Sequence, residues 1–83
     1  MKILKNDSNA IWARMPDGAV ILISYDKVIV SIKDGVATLD SNYWDYSTTT
    51  SKHRNAFLKE DKKQTMKKID AGVYKLANLN EGV

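Results

Sequence analysis

Two turn signals bracket the most β-prone part of the chain and leave it few ways to fold. "PDG" at residues 16–18 supplies a fixed φ, a turn-forming carboxylate and a residue that accepts positive φ; "KDG" at 33–35 gives a second hairpin signal. Between them lie "AVILISY" (19–25) and "KVIVSI" (27–32), separated only by Asp26. The first is apolar on both faces from Val20 to Ile23, as expected of a central strand covered from both sides, and the second is rich in β-branched residues, at Val28 to Val30 and Ile32. Upstream, "AIWARM" (10–15) alternates Ile11, Ala13 and Met15 with Trp12 and Arg14, the period of a half-buried strand that leaves Trp12 on the outer sheet face near Arg14. Downstream comes "VATLD" (36–40). The reading is a four-stranded antiparallel meander.

After the meander the period changes. From about Thr50, "TSKHRNAFLKE" brings His53, Phe57 and Leu58 to helical neighbour positions with Ala56 beside them. "DKKQTMKKIDAG" offers Asp61 as N-cap with Gln64 at capping-box spacing and Gly72 where a left-handed C-cap belongs, around a narrow Met66 and Ile69 stripe. Two short helices are expected, with one bent helix through 59–63 as the alternative. "VYKLANL" (73–79) then reads as a fifth strand returning to the sheet edge. Strands followed by helices imply an α+β fold, a small antiparallel sheet with both helices on one face.

A chain of 83 residues forms one domain, here 1–83, burying roughly 60–65% of the surface its unfolded form exposes. There is no cysteine, so neither a disulfide framework nor a thiolate zinc site is expected, and a reducing cytoplasm suits the chain. The longest uninterrupted apolar run, 19–23, is too short for a membrane span, and no signal peptide is expected. Charge is lopsided: residues 1–46 hold five Lys/Arg against six Asp/Glu, whereas 47–83 hold eight against four. The positive field of the second half suits an acidic partner or a solvated surface.

The candidate contact surface is "YWDYSTTTSKH" (43–53) together with Arg54. Any of Ser47 to Thr50 can cap the coming helix, a contribution of about 1 kcal/mol. The surplus hydroxyls, Thr48, Thr49 and Thr50 among them, resemble an anion site's lining. Lys52, His53 and Arg54 in a first helical turn would oppose the helix dipole by roughly 0.3–1 kcal/mol each, a cost that a bound anion would reverse. Tyr43, Trp44 and Tyr46 precede them; they either stack bases, form a protein hot spot, or pack with Trp44 plugging one end of the core. Lys59, Lys62, Lys63, Lys67 and Lys68 form a basic ridge suited to a phosphate backbone or simply to water. His53 is the only histidine; with Ser47 or Ser51 and Asp45 it makes a nucleophile and base only on paper, and no nucleophile elbow, phosphate loop or metal cluster accompanies it. No enzyme activity and no cofactor are expected.

The order of a Ser-Tyr strand end, a Val-rich strand, a short turn and "YSTTTSKHRNAFL" within residues 24–58 resembles a group of small bacteriophage-encoded proteins of unknown function. Its most specific part is Tyr46, Ser47, Thr49 to His53 and Phe57, and the chain departs from the group by one extra Thr and by Trp44–Asp45. The resemblance implies an accessory viral protein in the cytoplasm of an infected host cell. That class is rich in inhibitors of host defence and nucleic-acid machinery, so the expected partner is a host protein or protein–nucleic-acid complex. Direct single-stranded nucleic-acid binding by the basic face and capture of a phosphorylated small molecule at the helix start are the alternatives. A second copy of the chain pairing along an exposed edge strand is a further expected partner.

Overall fold

A computed structural model of the chain describes residues 1–7 and 9–81. Among these, six strands, β1 (Lys2–Asp7), β2 (Ala10–Arg14), β3 (Val20–Ser24), β4 (Lys27–Lys33), β5 (Val36–Asp40) and β6 (Lys75–Ala77), form one sheet in sequence order. Helices α1 (Thr48–Leu58) and α2 (Lys62–Asp70) lie between β5 and β6. The fold is a small α+β domain, as the sequence implies. The β1 to β5 pairs are antiparallel and β5–β6 is parallel. A parallel pair needs a long crossover, which the two helices supply.

The expected turns form where the residues permit positive φ. Asp34 and Gly35, at φ 52° and 77°, join β4 to β5, and Gly18 takes φ 92° between β2 and β3. Residues Ala10 and Trp12, Leu22 and Val20, Val30 and Ile32, and Leu39 and Ala37 are cross-strand neighbours on one face, and Phe57, Leu58 and Ile69 of the helices pack against them. A bulge between Leu22 and Ile23 of β3 and their β4 partners inserts Ile29, so Ile29 and Val30 both reach the core.

Two expectations need correction, those for Trp12 and Met66. Trp12 lies on the helix-covered face, edge-to-face with Phe57 at 5.0 Å, because the large ring fills the gap beneath α1 whereas Ala13 fits between strands on the opposite face. The central strand is buried on both faces, as expected: Leu22 lies in the core, and Ile21 on the other face, level with Ala13 and Ser31, is buried as well. On α2 the inward pair is Thr65 and Ile69, not Met66 and Ile69; Met66 is exposed, and Thr65 is buried because its hydroxyl donates to Glu60 and to the Asp61 carbonyl.

Strand β1 is an addition to the expected meander. It is exposed along its length, and its register slips between Ile3 and Lys5. A bulge and two lysines on an edge strand discourage pairing with another chain. The two helices are separate, because Lys59 takes a left-handed conformation at φ 58° and ends α1. Asp61 then starts α2 with the expected capping box, and Gly72 at φ 76° follows its end.

Candidate functional site

A two-residue connection in the sheet carries the site. Between β3 and β4 the chain reverses through Tyr25 and Asp26, with neither Gly nor Asn available, and Tyr25 is forced to φ 60°. A bulky residue in the left-handed region costs roughly 1–2 kcal/mol. The turn is held by the Tyr25 amide donating to the Asn9 carbonyl at 2.7 Å. It presents the Tyr25 side chain beside His53, ring centroids 6.2 Å apart, where the stretch before α1 meets the sheet.

There the structure encloses a cavity of about 190 Å³, lined by Ser24, Tyr25, Asp26, Lys27, Ile29, Tyr43, Tyr46 and Thr50. Small-molecule sites run from roughly 300 Å³ upwards, so this one is sized for a single side chain rather than a nucleotide. Tyr43 and Tyr46 stand 5.3 Å apart at 59°, and the Lys27 ammonium lies 5.6 Å from the Tyr43 ring centre. At its floor, hydroxyls form a chain from Ser47 to Thr50 (3.2 Å), Thr50 to Ser24 (3.2 Å) and Ser24 to His53 Nδ1 (2.8 Å). Ser47 donates to Thr50; between Thr50 and Ser24 either hydroxyl can donate, and the Ser24–His53 direction follows the imidazole tautomer.

That chain redistributes the expected anion site. Ser47 is the N-cap and accepts from the Thr50 amide at 3.1 Å, so one of the helix-start donors is already used. Thr50 is buried and engaged with Ser24, whereas Thr48 and Thr49 are exposed. Because α1 begins at Thr48, Lys52, His53 and Arg54 fall in its second turn, where the dipole has faded; the crowding of cations on the first turn is therefore corrected.

Arg54 is not an anion contact. Its side chain is 0% exposed, donating to the Trp44 carbonyl (2.8 Å), Asp45 (3.3 Å) and Asn55 (3.0 Å) and lying 5.2 Å from the Trp44 ring centre. A buried guanidinium needs such partners in place of water. Trp44 is half-buried against the core, so it packs as a plug, away from the cavity lining. Asp45 also accepts from Ser51 (2.9 Å) and Lys62 (2.6 Å), whereas His53 bonds Ser24 through Nδ1 instead of Asp45 or Ser51. Burial raises the Asp45 carboxyl, but bonds from Lys62, Ser51 and Arg54 outweigh it and hold it below the ordinary carboxylate value.

The basic ridge is also divided. Lys62 is paired with Asp45, and Lys68 with Glu60 at 2.6 Å, where Tyr74 and Thr65 also donate to the carboxylate. Lys59 serves as the turn that ends α1. Lys63 and Lys67 are exposed, four residues apart, and form no ion pair among the described residues. Lys67 and Lys68 suit the negative end of α2.

Of the expected contacts, then, only Tyr43, Tyr46 and Thr50 line the cavity; Ser24, Tyr25, Asp26, Lys27 and Ile29 were not foreseen. The signal that points to them is "SYDK", a two-residue reversal between strong strands with no Gly or Asn to make it. None of the described helices is long and apolar enough to cross a membrane. A family described as "Family of unknown function (DUF8033)" matches residues 1–72. No curated protein and no solved structure matches the chain.

Proposed function

The chain belongs to this family of unknown function, and we propose that it is a non-enzymatic, phage-type accessory protein that binds and inhibits a host nucleic-acid-processing or defence complex. The observation that carries the reading is the cavity: three tyrosines surround a space sized for one side chain, and tyrosine is enriched at the anchoring points of protein interfaces. Tyr46 at 69% exposed and Tyr25 at 52% leave large aromatic surfaces to the solvent, which a partner would cover. The strained backbone of Tyr25 at the same place supports a role in recognition. The viral and inhibitory parts rest on the resemblance of residues 24–58 to small phage proteins. Affinity capture from bacterial host lysate tests it: wild-type protein retains a nucleic-acid-processing or defence complex, and Tyr46→Ala loses it. Recovery of no such complex above background would sink the proposal.

A second reading is favoured by Lys63 and Lys67, exposed and free of ion pairs among the described residues: direct binding of single-stranded nucleic acid along α2. Its affinity would fall steeply with salt, and undetectable binding at low salt removes it. Capture of a phosphorylated small molecule is the reading supported least, since the cavity is small and the α1 cap is already satisfied.

A further inference from the structure

We propose that residues 75–81 are a releasable cover for the edge of β5, and that β5, once uncovered, pairs with β5 of a second copy of the chain, independently of the partner reading above. The two sides of the sheet are protected differently. β1 carries its own protection, a bulge between Ile3 and Lys5 with Lys2 and Lys5 along the strand. β5 has none of these devices. From Val36 to Leu39 it is uncharged and free of proline, includes the strand formers Val36 and Thr38, and keeps an unbroken register with β4. At its end the Asp40 carboxylate is buried and taken up by the amides of Asn42, Tyr43 and Leu79. Left open, such a strand is a template for another, and β6 closes it.

The closure is lightly held. β6 is three residues long and parallel to β5, the weaker kind of pairing, and Lys75, Leu76 and Ala77 are all exposed. Of the apolar side chains from 75 to 81 only that of Leu79 is half-buried. Beyond the ladder the attachments are polar: the Ser41 amide donates to the Ala77 carbonyl (2.8 Å) and the Leu79 amide to Asp40 (2.7 Å), and the Asn80 side chain bonds both backbone groups of Val28 (2.9 and 3.0 Å). Tyr74, in contrast, packs against the core and donates to Glu60 at 2.8 Å. The chain is thus anchored just before β6 and opens from residue 75 onward. Water can take over the released polar groups, whereas the uncovered β5 regains a full ladder from another β5. An antiparallel pair about a two-fold axis at Thr38 sets Ala37 opposite Leu39 of the copy and Thr38 opposite its counterpart, with no like charges facing each other.

The test uses the full chain. In native-state hydrogen exchange the Val28, Ser41 and Leu79 amides, all bonded through the cover, are expected to open together and to be about a hundredfold less protected than the amides of β3. In sedimentation velocity the wild type is expected to be a monomer. Ala77→Pro combined with Asn80→Ala takes away a backbone donor beside β5 and both Val28 bonds, and is expected to give a dimer with a dissociation constant on the order of 100 μM. Adding Thr38→Lys, which sets two ammonium groups opposite each other across the axis, is expected to restore the monomer. Exchange of the three amides only at the rate of global unfolding would overturn the proposal. So would a wild-type dimer, a folded double variant that stays monomeric at about 1 mM, or a dimer indifferent to Thr38→Lys. Loss of the fold in the double variant, read by circular dichroism, would overturn it as well, since residues 75–81 would then support the core instead of covering an edge.

Discussion

Burying a guanidinium removes its water, and Arg54 replaces that water through its two terminal nitrogens while its Nε has no partner. Arg54→Ala removes one member of a buried network and leaves a hole, so a loss of about 3–5 kcal/mol is expected. For a domain of this size that is much of the total stability. Arg54→Met keeps most of the volume, and Asp45 retains Lys62, so a smaller loss in urea midpoint is expected than for the alanine variant. Glu60 is the second such residue. Burial raises its carboxyl, yet bonds from Lys68, Thr65 and Tyr74 hold it below the ordinary 4.5. A carboxyl depressed in the folded state stabilises above its unfolded value and stops doing so as pH falls through the folded one. Lys68, raised from 10.5 by Glu60 and Tyr74, and Tyr74, raised from 10.0 by burial and Glu60, contribute below those values and stop above the folded ones. Urea midpoints should therefore be level from about pH 5 to 10 and fall on either side. Glu60→Gln should cost about 2 kcal/mol at neutral pH and flatten the acid limb. An unchanged limb would remove Glu60 as its source.

At the scale of elements, the caps behave as their residue types dictate, and each is open to a single substitution. Ser47→Ala removes both the α1 cap and the first hydroxyl of the chain leading to His53, an expected loss of about 1 kcal/mol by thermal or urea unfolding. Gly72→Ala meets no neighbouring atom but forces a side chain into φ 76°, for about 1 kcal/mol as well. Two attachments were hidden in the sequence. Asp40 is buried and accepts from the amides of Asn42, Tyr43 and Leu79, joining the end of β5 to the loop before α1 and to the chain after β6. The Asn80 amide both accepts from and donates to the Val28 backbone, acting as a one-residue strand partner beside the β4 bulge. Both contacts span dozens of residues, and an Asp or Asn in a polar stretch reads equally well as an ordinary turn residue. Strand β1 escaped notice for a related reason: its adjacent Ile3 and Leu4 straddle a bulge, so no period of two appears.

At the scale of the molecule, Asp45 of the first half pairs with Lys62 of the positive second half, while Lys68 pairs with Glu60 inside that half. If single-stranded nucleic acid binds, the exposed cations of the second half outside any ion pair among the described residues are Lys52, Lys59, Lys63, Lys67 and Lys75. The logarithm of affinity should then fall with that of salt at a slope no steeper than about −3.5, which a salt titration measures. A slope near about −5 would show that the paired Lys62 and Lys68 open to join in. The capture from lysate addresses the tyrosine cavity instead.

The hairpin turns, the four central strands and the capping box were legible in the sequence, because each depends on residues within a few positions of one another, whereas the left-handed Lys59 decided between two helices and one bent one. The candidate site was legible by half. Tyr43, Tyr46 and Thr50 stand out in a dense stretch, but the wall that completes the cavity comes from a turn twenty residues earlier, and only the packing of α1 against β3 brings the two together. The same packing decided the fate of the cations. Sequence places Lys52, His53 and Arg54 side by side, whereas the helix turns about 100° per residue, sending Lys52 to solvent, His53 to Ser24 and Arg54 into the interior. Local chemistry set the elements; which polar groups became partners depended on which surfaces had to lose their water together.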